Sequence, residues 1–223
     1  MSIDQTELGI LFDWDVVIID SSQQHEASWE RLAEEESKPL PADHFVRGFG
    51  RKNELIIPEI LQWTKDSGEI RRLSLRKEEL YREIVIERGL EPLPGVHLFL
   101  NRLRSAGIPS CVGSSTHRLN IDTILSVMGF DGLFDGIVTA EDVREGKPHP
   151  DVFLQAAHKI DRDPGKCIVF EDALAGIEAG HAAGAKVVGV ATTHDADTLN
   201  SRVDRVVDQL DELQIDDLLR LFA

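Results

Sequence analysis

The sequence predicts an α/β fold: a parallel sheet with helices on both faces and a helical domain inserted after the first strand. Three observations point there. Short apolar runs recur along the chain, separated by stretches of helical spacing. One long interval, from about residue 21 to 91, breaks that alternation and holds only charged amphipathic segments. The apolar runs also end in small or charged residues, at the place where open α/β sheets present their ligand crevice.

The elements follow in order. Leu8–Phe12 is a short apolar run that reads as a buried strand. After it, Glu26–Glu36, Lys52–Trp63 and Leu73–Arg88 each carry apolar residues at helical spacing. This connection is too long and too patterned for a loop, so it reads as an inserted helical domain with linkers near Asp20–Ser22 and Leu93–Gly95. Val96–Ser105 is helical, opened by Pro94-Gly95 and closed by Ala106-Gly107. From there strand and helix alternate: Ile108–Gly113, His117–Met128, Gly136–Thr139, Pro150–Lys159, Lys166–Phe170, Leu174–Ala183 closed by Gly184, and Lys186–Val190. A short strand near Arg205-Val206-Val207 and a last helix complete the core. The expected division is a core of residues 1–20 and 94–223 and a helical domain of 21–93. Such regular alternation is most simply packed as a parallel sheet between two helical layers.

Composition bounds the function. At 223 residues, with 42% hydrophobic and 29% charged residues, the chain can fill one ordinary core and a smaller module. No apolar run approaches the roughly 20 residues of a membrane span, so no membrane partner is expected. Met-Ser-Ile-Asp-Gln-Thr-Glu lacks the basic start and apolar stretch of a signal peptide, and a cytoplasmic location is expected. Cys111 and Cys167 lie in separate apolar runs and read as buried free thiols. A net charge of −16 argues against nucleic acid. A local anion site remains compatible with it.

Phe12-Asp13-Trp14-Asp15 puts two carboxylates at the end of the first strand, pointing the same way along an extended chain. Like charges so placed call for a cation or a shared proton. Taken alone, the pair fits a strand-ending turn as well as a site. Three later strand ends add to it. Gly113-Ser114-Ser115-Thr116 opens a helix whose free amides favour an anion, although an ordinary cap would look the same. Gly146-Lys147-Pro148 sets a lysine between a glycine and a proline before a helix, where it can aim a fixed positive charge, and Phe170-Glu171-Asp172 supplies acidic groups suited to a hard cation. Four polar elements at successive strand ends are hard to explain as caps and turns alone.

With these residues the chain resembles the haloacid dehalogenase superfamily, in the helical-cap branch that contains β-phosphoglucomutase and phosphoglycolate-type phosphatases. The resemblance runs from about Leu8 to Leu213. It also takes in Asp20, His25, Trp29, Leu93-Pro94-Gly95, the run from Gly146 to Asp151, and Phe170 to Ile177 followed by Ala183-Gly184. It implies a Rossmann-like core and a cap that closes over the site. It assigns Asp13 as the nucleophile that forms an aspartyl-phosphate, and Asp15 as general acid and then base. Mg2+ would be held by Asp13, the main-chain carbonyl of Asp15, and Asp172, with Glu171 nearby. Ser114 and Lys147 would bind the phosphoryl oxygens. His25, Arg47 and Arg51 around the Gly48-Phe49-Gly50 turn, Lys52 and Ser115 are candidate substrate contacts, whereas Arg76 and Lys77 read as the polar face of a helix. The implied partner is a small phosphorylated metabolite, and the implied assembly a monomer or weak homodimer.

One residue departs from the pattern. Where the family has glycine after the second aspartate, this chain has Val16, a β-branched residue at a sharp turn. Three functions are therefore weighed: a phosphatase of a sugar phosphate or phosphoglycolate type, a sugar phosphate mutase, and a weakened phosphometabolite-binding protein. Dehalogenation is disfavoured by the acidic set, which such relatives do not need.

Overall fold

A computed structural model describes residues 3–48 and 51–223 of the chain. Phe49 and Gly50, the tip of the expected Gly48-Phe49-Gly50 turn, lie outside the described residues. Two compact units form, one from the residues up to Asp20 together with Glu91–Ala223, the other from Ser21–Leu90. The expected insert ran to 93. The segment after Leu90 instead belongs with the core, where Pro92 bridges Ile19 and the Leu93 N–H donates to the Ile18 carbonyl at 2.9 Å.

The core is a six-stranded sheet of β1 (Gly9–Phe12), β2 (Ser110–Gly113), β3 (Gly136–Val138), β4 (Cys167–Glu171), β5 (Lys186–Val190) and β6 (Arg205–Val207). Every pairing is parallel and the order is β3-β2-β1-β4-β5-β6. From β1 the chain builds outward through β2 and β3 on one side, then crosses over to build β4, β5 and β6 on the other, and this reversal opens a crevice at the carboxyl end of β1. Buried on both faces, β1 can be apolar throughout rather than alternating. Beneath the crevice Phe12, Phe99 and Phe170 pack ring to ring, with centroids 5.2 to 6.2 Å apart, and stiffen the strand ends.

The inserted unit contains α1 (Ser22–Glu35), α2 (His44–Gly48), α3 (Asn53–Leu55) running into a π-helical turn at Ile56–Ile60, and α4 (Ser67–Arg88). Helix α4 starts where Asp66 accepts the Glu69 N–H at 2.8 Å and stops at Gly89, whose φ is 73°. Its buried stripe carries Leu73, Leu80, Tyr81, Ile84 and Val85, and Leu73 and Leu80 pack in one cluster with Trp29 and Leu32 of α1. Bidentate pairs Arg72–Glu36, Arg76–Glu35 and Arg31–Glu87 lace the solvent side of that seam.

In the core unit, α5 (Val96–Ser105), α6 (Arg118–Met128), α7 (Asp151–Lys159), α8 (Leu174–Ala182), α9 (Ala196–Asn200) and α10 (Ile215–Arg220) connect or flank the strands. One face of the sheet packs Leu11, Val169 and Val187 with Phe153, Ala156 and Ile177. Among the described residues no helix is long and apolar enough to cross a membrane. Cys111 and Cys167 are buried free thiols whose burial pushes them up to about 12, far from a reactive thiolate.

Candidate active site

Strand register brings the polar ends together. Phe12 pairs with Phe170 on one side and Val112 on the other, so Asp13, Glu171 and the Gly113-Ser114 step leave the sheet side by side. The Asp13 N–H continues the ladder, donating to the Phe170 carbonyl at 2.9 Å. The Ser114 N–H does the same on the other edge, to Val138 at 3.0 Å. Asp13, Glu171 and Asp172 each offer a carboxylate oxygen within 4.8 Å of the others, in a buried cluster.

Lys147, from the loop between β3 and α7, places its ammonium between two of these groups. It pairs with Asp13 and donates to Glu171 at 2.6 Å, and its side chain is only 9% exposed. Burial opposes its charge, but the two carboxylates overturn that and hold the ammonium above the ordinary lysine value. The other Glu171 oxygen accepts the N–H groups of Asp172 and Ala173 at 3.0 and 2.9 Å. Gly176 makes this cradle possible, because a Cβ there would sit 1.6 Å from the Glu171 carboxylate.

One lysine does not balance the cluster. Burial raises Glu171 against the pull of Lys147, and it raises Asp172 to about 6, with the Thr193 hydroxyl opposing and Asp13 adding. Three buried carboxylates beside a single ammonium, all offering hard oxygen donors, make a set that fits a small divalent cation. The Asp15 carboxylate lies outside this set. Its Oδ2 accepts the Thr116 hydroxyl at 2.6 Å. Burial pushes Asp15 up to about 6, Asp13 adds to the rise, and Thr116 opposes it.

The turn beyond Asp15 is formed despite Val16. Val16 adopts φ 52°, the left-handed region that favours glycine. Two contacts hold it there. Its N–H donates to the Ile19 carbonyl at 2.6 Å, and its own carbonyl accepts the Thr192 hydroxyl at 2.7 Å.

The core unit thus gathers Asp13, Asp15, Ser114, Lys147, Glu171 and Asp172 at one end of the sheet, while Ser115 is exposed beside them. The remaining candidates, His25, Arg47, Arg51 and Lys52, belong to the inserted unit, and Lys52 is exposed there. Arg47 and Arg51 are surface groups paired with Asp43 and Glu59. His25 is built into a cluster that the sequence reading did not anticipate. Lys77, expected on a polar helix face, is only 2% exposed. Its ammonium lies 2.6 Å from His25 Nδ1, pairs with Glu78 at 3.0 Å, and stands 5.3 Å from the Tyr81 ring centroid and 5.6 Å from that of Trp29. His25 stacks on Tyr81 at 4.0 Å. Burial, then the Lys77 charge, depresses His25 to about 3, so it accepts from the ammonium as a neutral ring. The signal was the spacing: Lys77 falls between Leu73 and Leu80-Tyr81 on the buried stripe.

A family model for haloacid dehalogenase-like hydrolases matches residues 8–184. The chain belongs to that family. As a haloacid dehalogenase-like hydrolase it is 38% identical over 217 residues to a chloroplastic 5-amino-6-(5-phospho-D-ribitylamino)uracil phosphatase of Arabidopsis thaliana; the match covers 96% of this chain and 57% of that protein. It therefore spans little more than half that relative's length. Hexitol phosphatase A of Escherichia coli is 31% identical over 208 residues, covering 93% of each chain. Among solved structures, a β-phosphoglucomutase from Clostridium difficile superposes with a TM-score of 0.78 at 26% identity, covering 96% of this chain and 97% of that one.

Proposed function

We propose that this chain is a magnesium-dependent phosphatase that hydrolyses a small phosphorylated metabolite through an aspartyl-phosphate on Asp13. The observation that carries the reading is the Lys147 ammonium set between Asp13 and Glu171 beside Asp172, at the carboxyl end of a central parallel strand. An Asp13 oxygen attacks phosphorus as the ester P–O bond breaks, and Asp15 gives its proton to the departing oxygen. Asp15, now a carboxylate, takes a proton from water as the water oxygen attacks the phosphoryl group. Inorganic phosphate leaves and the Asp13 carboxylate is restored. The Ser114 hydroxyl and Lys147 hold the non-bridging oxygens. Asp13, Glu171 and Asp172, with the Asp15 main-chain carbonyl, would hold Mg2+, which when bound offsets the repulsion between anionic nucleophile and anionic phosphoryl group. His25, Arg47, Arg51 and Ser115 are the proposed substrate contacts, with the inserted unit Ser21–Leu90 as the cap that supplies specificity.

Two of the relatives' names contain a linear sugar-alcohol group, ribityl and hexitol, in the context of phosphatase activity. A phosphorylated sugar or sugar alcohol is accordingly the first substrate class proposed here. The likeness to β-phosphoglucomutase supports a second reading, return of the phosphoryl group to a sugar. Incubation with hexose and polyol phosphates, with and without a hexose bisphosphate activator, separates the two. Free phosphate released in step with ester consumption supports the phosphatase. Isomerised sugar phosphate without phosphate release, dependent on the bisphosphate, would replace it with the mutase.

A further inference from the structure

We infer that Thr116 is a positioning residue for proton transfer, orienting the Asp15 carboxyl while tying it to the phosphate-binding Ser114. The inference rests on the phosphatase reading above, in which Asp15 is the proton donor. Thr116 lies on the loop between β2 and α6 and is half-buried. Its hydroxyl donates to Asp15 Oδ2 at 2.6 Å, and its N–H donates to Ser114 Oγ at 3.0 Å. One residue therefore touches two of the groups that the reaction uses.

Each contact has a chemical consequence. A carboxyl has two equivalent oxygens until something distinguishes them. With Oδ2 accepting a hydrogen bond, the transferable proton is kept on Oδ1, and rotation of the carboxyl about its Cβ–Cγ bond is restrained. At Ser114 the Thr116 N–H occupies a lone pair, which leaves the hydroxyl proton for an acceptor elsewhere, such as a phosphoryl oxygen. The loop itself is pinned beyond Thr116: Glu141 lies 2.9 Å from His117 Nδ1 and accepts the Arg118 N–H at 3.3 Å. Asp15 is pinned from its own side by the bridge between Asp15 and Ile19. The Thr116 hydroxyl is thus a fixed donor facing a fixed carboxyl, the arrangement that orientation of a general acid needs.

The test uses leaving groups of different basicity. An alkyl phosphate needs a proton on its departing oxygen, whereas the nitrophenolate of p-nitrophenyl phosphate departs without one. Thr116→Val removes the hydroxyl at nearly constant shape, and Thr116→Ser restores it. Thr116→Val is expected to lower kcat/KM, which reports the steps up to phosphoryl transfer onto Asp13 and not the later water attack common to both esters, by about 10-fold or more on an alkyl phosphate, with less than about 3-fold loss on p-nitrophenyl phosphate. Thr116→Ser is expected to recover the alkyl ester rate. A variant that merely misfolds loses both esters alike, and so does one damaged only through Ser114. An equal loss on the two esters, no loss on either, or a failure of Thr116→Ser to restore the alkyl rate would overturn the inference. Asp15→Asn run beside them keeps the two claims apart. If its kcat/KM shows the same leaving-group dependence, the role of Asp15 stands whatever Thr116 does; if it does not, Asp15 is not the proton donor and the mechanism proposed above fails.

Discussion

Replacing Val16 with glycine should leave the protein about as stable as before, although half-buried valine is lost from the core unit. Three opposing effects set the size. A non-glycine residue in the left-handed region costs about 1–2 kcal/mol, and Val16, β-branched at φ 52°, belongs toward the upper end. Glycine removes that cost but gives the unfolded chain about 0.4–1 kcal/mol of extra freedom. Losing a half-buried valine side chain forfeits roughly 1 kcal/mol, about half the value for full burial. The balance lies within about 1 kcal/mol of zero. Val17, the next residue, provides the contrast. It is 1% exposed and has no positive φ. Val17→Gly should cost about 2–4 kcal/mol, the full burial plus the entropy of glycine, with no strain to relieve. Urea unfolding of the two variants beside the parent measures both values by linear extrapolation. The same reasoning predicts that Val16→Gly raises turnover or leaves it unchanged, because the turn beyond Asp15 is already formed. If Val16→Gly loses as much stability as Val17→Gly, or most of its turnover, the strain argument is wrong.

Other variants test other parts of the site. Gly176→Ala drives a Cβ into the Glu171 carboxylate and should cost about 2 kcal/mol or more, by the disruption of a buried ion pair, together with most of the activity; unfolding and turnover measurements check both. Mg2+ should raise the unfolding free energy, by about 2.7 kcal/mol at one hundred times its dissociation constant, and Asp172→Asn should abolish most of that rise. His25 makes stability depend on pH. Its folded value is about 3 against an ordinary 6.5, so below pH 6.5 the unfolded chain takes up a proton that the folded chain refuses. Stability is lost as pH falls from 6.5 toward 3, by at most about 2 kcal/mol at pH 5 for this group. His25→Asn, which keeps an acceptor toward Lys77, should shrink the difference between unfolding free energies measured at pH 7 and pH 5.

Much of this architecture is legible in the chain because it depends on local pattern. Leu8–Phe12 reads as a strand because it is buried on both faces and apolar throughout, and Asp13 stands out because it ends that run. Lys147 and Glu171 were conspicuous for the same reason, each following a strand. Features that depend on partners distant in sequence were not visible. Thr116 became meaningful only once the sheet order set β2 beside β1 and brought its hydroxyl to Asp15, 101 residues away. Lys77 sits on a buried stripe because His25, 52 residues earlier, and the rings of Trp29 and Tyr81 receive its charge. The short helices α2 and α9, five residues each, went unseen because one turn of helix carries too little periodicity to register. Val16 was recognisable as a departure, whereas the Ile19 and Thr192 contacts that hold its backbone needed the fold.

The central claim is that Asp13 is a nucleophile acting in a magnesium-loaded site. Phosphate release from a panel of small phosphomonoesters, measured with Mg2+, with chelator, and with Asp13→Asn under each condition, tests it most directly. Release that requires Mg2+ and vanishes in a folded Asp13→Asn variant is the predicted result. Near-normal release from Asp13→Asn, or release untouched by chelator, would contradict the account.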